Sequence, residues 1–112
     1  MTMQKDSVLR SHKYLAGARD QACVNCGSWG TVVSCHYQGF RSASLGGGKG
    51  RKVSDLFVAD LCQRCHSQFD NYDMSDFGSK YMRQIDQSEQ FLFRICQTLD
   101  RRIKQGLISV VP

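Results

Sequence analysis

The sequence predicts a single small α+β domain organised around a metal ion, and three observations carry that reading. Two CxxC pairs are present, Cys23/Cys26 and Cys62/Cys65. A β-branched, aromatic segment follows the first pair, and a second strand-like segment runs into the next. Beyond Cys65 the apolar residues recur at helical rather than alternating steps. At 112 residues with 41% hydrophobic content, the chain can bury one compact core but not two of ordinary size.

Along the chain, residues 1–20 read as an N-terminal arm or short helix, with Val8, Leu9, Tyr14 and Leu15 as its buried positions. "ACVNCGSWG" is a turn built around two cysteines, and "TVVSCHY" (31–37) has strand composition. "GFRSASLGGGKGRK" (39–52) holds five glycines and no apolar period, which predicts an exposed, flexible loop of functional length. "DLFVADL" (55–61) is a second strand leading into the second cysteine pair, so that 21–70 forms the knuckle-and-strand core. The extension 71–112 is helical: Met74, Phe77, Tyr81, Met82 and Ile85 recur at three- or four-residue steps, with Gly78 a weak point. Ser88 followed by Glu89 is the expected N-cap of a final helix with an apolar face of Phe91, Leu92, Ile95, Cys96, Leu99 and Ile103. Gly106 lies just beyond its end. Cys96 is expected to pack in the interior, and so are Trp29 and Tyr37, whose rings could otherwise stack on bases.

The polar, basic start "MTMQKDSVLRSHKY" has no apolar run of the kind that marks a secretory leader, and no window is long and apolar enough to span a membrane. A cytoplasmic protein is expected. Disulfides are rare there, so paired cysteines are better read as metal ligands. Four thiolates suit tetrahedral zinc and leave no coordination position open, which makes Cys23, Cys26, Cys62 and Cys65 a structural zinc site. A thioredoxin-like redox pair would need its CxxC to open a helix within a βαβ unit, and no such unit is visible. Formal charge is +5, concentrated in the N-terminal half: residues 1–52 carry eight Lys/Arg against Asp6 and Asp20. Such a field attracts polyanions, nucleic acid above all.

The residues directly after the second pair are of another kind. His66 and Asp70 are four apart, so on a helix they lie on one face and can share an ion. Imidazole plus carboxylate is a harder donor set than four thiolates and leaves positions for water and phosphate. His36 ends the strand after the first knuckle, where an imidazole can act as a general base. Arg41, Lys49, Arg51 and Lys52 stand between these groups in sequence, among glycines that let backbone approach a phosphate chain.

Taken together, "CVNC", "SCHY", "SDL" and "LCQRCHSQFD" resemble the HNH, or ββα-metal, endonuclease family in its zinc-knuckle form, closest to small prophage nucleases of the YbcO type. The resemblance covers about residues 15–108. It implies a treble-clef-like core in which a two-stranded hairpin and a helix hold one divalent ion, with C-terminal helices added, in a protein that hydrolyses DNA phosphodiesters in a bacterial cytoplasm. His36 matches the general base and His66 a metal ligand, while Asp70 stands where many members have a second histidine. Asp55 occupies the place of the middle asparagine that orients the base. Cys35 falls at a position that is often a metal ligand, which makes it a further ligand candidate.

The expected function is therefore a metal-dependent DNA endonuclease with one structural zinc and one catalytic divalent cation (Mg2+, Mn2+, Ni2+ or Zn2+). The alternative is a non-catalytic zinc module that binds DNA or protein, for which the cysteines and the basic loop suffice. Sequence does not distinguish duplex from single-stranded or branched DNA, nor does it set the oligomeric state.

Overall fold

The computed structural model describes residues 8–48, 50–71, 84–109 and 111. Within them lie, in order, α1 (His12–Ala16), a 3-10 turn at Gly17–Asp20, β1 (Val33–His36), a 3-10 turn at Ala43–Leu45, β2 (Val58–Leu61), α2 (Gln63–Asp70) and α3 (Gln84–Lys104). The fold class is α+β, as the sequence predicted. Lys49 and the helical positions Met74, Phe77, Gly78, Tyr81 and Met82 lie outside the described residues.

The two strands pair antiparallel, with Val33 opposite Leu61, Ser34 opposite Asp60, Cys35 opposite Ala59 and His36 opposite Val58. Strand alternation therefore puts Ser34, His36, Val58 and Asp60 on one face, and Val33, Cys35, Ala59 and Leu61 on the other. All four residues of β2 are buried. Cys35, Ala59 and Leu61 join a core completed by Phe69 of α2 and by Phe91 and Ile95 of α3. Tyr37 packs edge-on to Phe91, 5.4 Å between ring centres, and its hydroxyl bonds Ser88.

Helix α3 departs from the expected pattern. Ser88 is not an N-cap but a buried residue inside the helix, because the chain is already helical from Gln84. The inward face is Gln87, Ser88, Phe91, Ile95, Thr98 and Arg102, whereas Cys96 is exposed and Ile103 is 43% exposed. The core thus takes two polar residues, Thr98 and Arg102, in preference to two apolar ones. The reason is Asp60 in the middle of β2. It is fully buried, so its charge must be met: Arg102 forms an ion pair with it, Arg101 reaches it at 3.1 Å, and Thr98 Oγ1 accepts the Asp60 backbone N–H at 3.1 Å. Arg102 also donates to the Tyr14 carbonyl and lies 4.2 Å above the Tyr14 ring, so one guanidinium ties α3 to β2 and to α1. Removing one partner strands a buried charge, and Asp60→Ala is expected to lower unfolding free energy by about 3 to 5 kcal/mol in denaturant melts. A loss below about 1 kcal/mol would mean that the pair does not tie the elements together.

The end of α3 follows the sequence reading. Gly106 takes φ +78°, and the Leu107 N–H bonds the Arg102 carbonyl at 2.8 Å, a glycine-dependent stop. At the other end of the chain Tyr14 is buried as expected, but Leu9 is 45% exposed. The second strand is shorter than "DLFVADL", because residues 55–57 turn rather than extend before β2. The glycine-rich stretch carries a 3-10 turn and a Gly48–Arg51 bridge.

Candidate functional site

The sulfur atoms of Cys23, Cys26, Cys62 and Cys65 all lie within 4.8 Å of one another, and they are the one group of three or more potential metal ligands among the described residues. Zinc bonds of about 2.3 Å in a tetrahedron separate sulfurs by about 3.8 Å; Cys26 and Cys62 stand 3.6 Å apart. The donor set and its size fit a metal such as zinc. The two halves are shaped differently. In the first, the Gly27 N–H bonds the Cys23 carbonyl at 2.9 Å, closing a tight turn, and the Cys23 N–H bonds Ser28 at 2.8 Å. In the second, Cys62 caps α2 and the His66 N–H bonds the Cys62 carbonyl at 2.9 Å, so the helix itself forms the knuckle. Among the described residues the sheet is an antiparallel pair, without the βαβ unit of a thioredoxin-like redox site.

Burial raises the Cys62 and Cys65 thiols, while at Cys26 the bonds with Ser28 outweigh burial and bring the group down to about 6. Asn25 Nδ2 donates to Cys65 Sγ at 3.2 Å, a bond that favours the thiolate. A bound dication would draw the remaining protons off.

The second cluster surrounds Asp55. Its carboxylate, 4% exposed, meets His36 Nε2 at 2.7 Å, the Ser11 N–H at 2.6 Å and Arg10 at 3.1 Å. Arg10 in turn donates to the carbonyls of Val53 at 2.6 Å and Lys52 at 2.7 Å, and the Asp55 N–H bonds Leu9 at 2.9 Å. Burial alone would raise the Asp55 carboxyl, but the bonds from His36, Ser11 and Arg10 outweigh it and hold it below the usual carboxylate value. An ionised Asp55 can only accept, so a neutral His36 carries its proton on Nε2 and leaves the Nδ1 lone pair available. Arg10 and Ser11 were not legible as partners. They lie 45 and 44 residues from Asp55, and nothing local marks them.

His36 also lines a cavity of about 430 Å3, together with Gln38, Ser42, Gly48, Arg51 and Lys52. The structure thus brings His36, Asp55 and two cations of the basic loop into one neighbourhood. Arg41 is exposed, stacks on Phe40 at 5.1 Å and is not part of the lining.

His66 and Asp70 do share a face of α2, with Nε2 and Oδ2 3.1 Å apart and both side chains more than a third exposed. Among the described residues no third ligand atom joins them within 4.8 Å. Cys35 is 2% exposed; burial first, then the Asp70 charge, push its thiol up to about 12. It leaves β1 on the face opposite His36. Trp29 does not pack as expected: it is 72% exposed. No helix among the described residues is long and apolar enough to cross a membrane.

Fold and site together define a small α+β domain with a four-cysteine, metal-sized cluster. Residues 1–100 match DUF968, described as a protein of unknown function, and the chain belongs to that family. No curated protein and no solved structure matches it.

Proposed function

We propose that the chain is a metal-dependent DNA endonuclease of the HNH type, with a treble-clef-like ββα-metal core closed by a structural zinc. The observation that carries this reading is the 2.7 Å bond between His36 and Asp55 beside a cavity that Arg51 and Lys52 also line. In it, Asp55 fixes the imidazole so that Nδ1 takes a proton from water, and the water oxygen forms the new bond to phosphorus as the bond to the leaving oxygen breaks. The imidazolium so formed lies against the Asp55 carboxylate, which stabilises it. Arg51 and Lys52 position the phosphate chain. His66 and Asp70 would hold the catalytic cation, whose chemistry is to bind the scissile phosphate and to stabilise charge on the leaving oxygen.

The test is supercoiled plasmid incubated with purified protein across Mg2+, Mn2+, Ni2+ and Zn2+, with and without a mild chelator. Nicked and linear products should require the added cation, while about one zinc per chain survives the chelator, because four thiolates hold it more tightly than two exposed ligands hold theirs. Arg51→Gln with Lys52→Gln should weaken DNA binding and flatten the log-log salt slope by about 0.9 for each phosphate that is no longer neutralised. An unchanged slope would assign both charges to solvation.

A second reading, a zinc module that binds without cutting, is favoured by one observation: His66 and Asp70 lack a third protein ligand among the described residues. Zinc retained with no cleavage under any cation would select it.

A further inference from the structure

Trp29 is the chain's single tryptophan, and 72% of its surface faces solvent. An indole left in water is unusual, since its apolar area ordinarily drives it inside. Here the backbone holds it out. Gly27 and Gly30, on either side, both take φ +82°, and Thr31 takes φ +55°, a left-handed conformation unfavourable for a β-branched residue. The segment is anchored at both ends: Ser28 accepts the Cys23 N–H at 2.8 Å, and Thr31 Oγ1 accepts the Gln63 N–H at 3.3 Å. The indole is therefore carried on a turn tied to the metal cluster and to the start of α2.

Beside it runs an open groove of about 640 Å3, whose other wall is the polar side of α2 with Gln63, Arg64, Ser67, Gln68 and Asn71. A protein-docking hot spot would surround an aromatic anchor with apolar neighbours. Among the described residues this lining presents amide and hydroxyl groups beside the Arg64 guanidinium, and no carboxylate. One aromatic plane faced by hydrogen-bonding side chains, in a chain of charge +5, is the chemistry that receives an unpaired nucleobase.

We infer that Trp29 and the polar side of α2 form a stacking site for an unpaired base of single-stranded DNA. The inference deepens the nuclease reading by naming its substrate class. Trp29 precedes β1 and His36 ends it, so at about 3.3 Å per residue the two are at most some 23 Å apart along the chain. That is about seven steps of a DNA strand at 3.4 Å each. A substrate with an unpaired segment a few nucleotides from the cut would engage both.

The experiment uses the full chain with zinc bound, no added catalytic cation and a fluorescein-labelled oligothymidylate, so that binding is read without cleavage. Because Trp29 is the only indole, its fluorescence reports this site alone. The expected result is quenching that follows the anisotropy isotherm, with weaker quenching by a blunt duplex of equal length. Trp29→Ala should lose about 5- to 100-fold in single-strand affinity and Trp29→Phe much less, at unchanged zinc content. Saturable binding without quenching, or equal affinity in Trp29→Ala, overturns the stacking site. Loss of plasmid cleavage elsewhere would bear on the nuclease reading and leave this result standing.

Discussion

Replacing Cys65 by serine is expected to abolish metal binding and to unfold the domain at ordinary temperature. Cys65 is fully buried, its sulfur is one of four within 4.8 Å, and it sits in the first turn of α2. The core has little to fall back on: among the described residues the sheet has two strands of four residues each, and a pair of strands alone is marginal. Structural zinc supplies about 10 to 16 kcal/mol in comparable small sites, as much as the whole net stability of a typical domain, about 5 to 15 kcal/mol. Loss of α-helical circular dichroism and of zinc in the same variant is the expected pair of readings. A folded, zinc-free Cys65→Ser protein would show that the cluster is dispensable.

The second large effect concerns the imidazole. His36→Ala should slow plasmid cleavage by about 100- to 10,000-fold, the range for loss of a general base, with zinc content and DNA affinity nearly unchanged. Its ring lies outside the hydrophobic core, and Asp55 keeps its bonds to Arg10 and the Ser11 N–H when the imidazole is removed. Asp55→Asn should also slow cleavage, since an amide can donate to Nε2 and so favour the tautomer that closes Nδ1. It should cost stability as well, because Asp55 anchors Arg10 and the Ser11 N–H. His66→Ala should differ from both by recovering part of its rate as the cation concentration is raised.

What the sequence revealed and what it hid follow from the range of the forces involved. Spacing within a few residues was readable: the CxxC pairs, the shared face of His66 and Asp70, and the glycine stop at Gly106 all rest on local geometry. His36 and Asp55 were singled out from sequence, and they lie within hydrogen-bond distance. The helix face failed at Cys96 and Ile103, because a count of apolar residues cannot foresee that buried Asp60 draws Arg102 and Thr98 inward. Trp29 failed for a similar reason. Hydrophobicity alone places indole inside, whereas two left-handed glycines on either side hold it out. Those glycines were the available signal.

The most direct measurement is the initial rate of supercoiled-plasmid nicking by wild-type and His36→Ala protein, prepared identically, matched for zinc content and assayed in the same divalent cation. Cation-dependent nicking by the wild type is expected, with a rate at least about 100-fold lower in the variant. Equal rates in the two proteins, across all the cations tried, would rule out His36 as the general base and leave the non-catalytic zinc module as the better description.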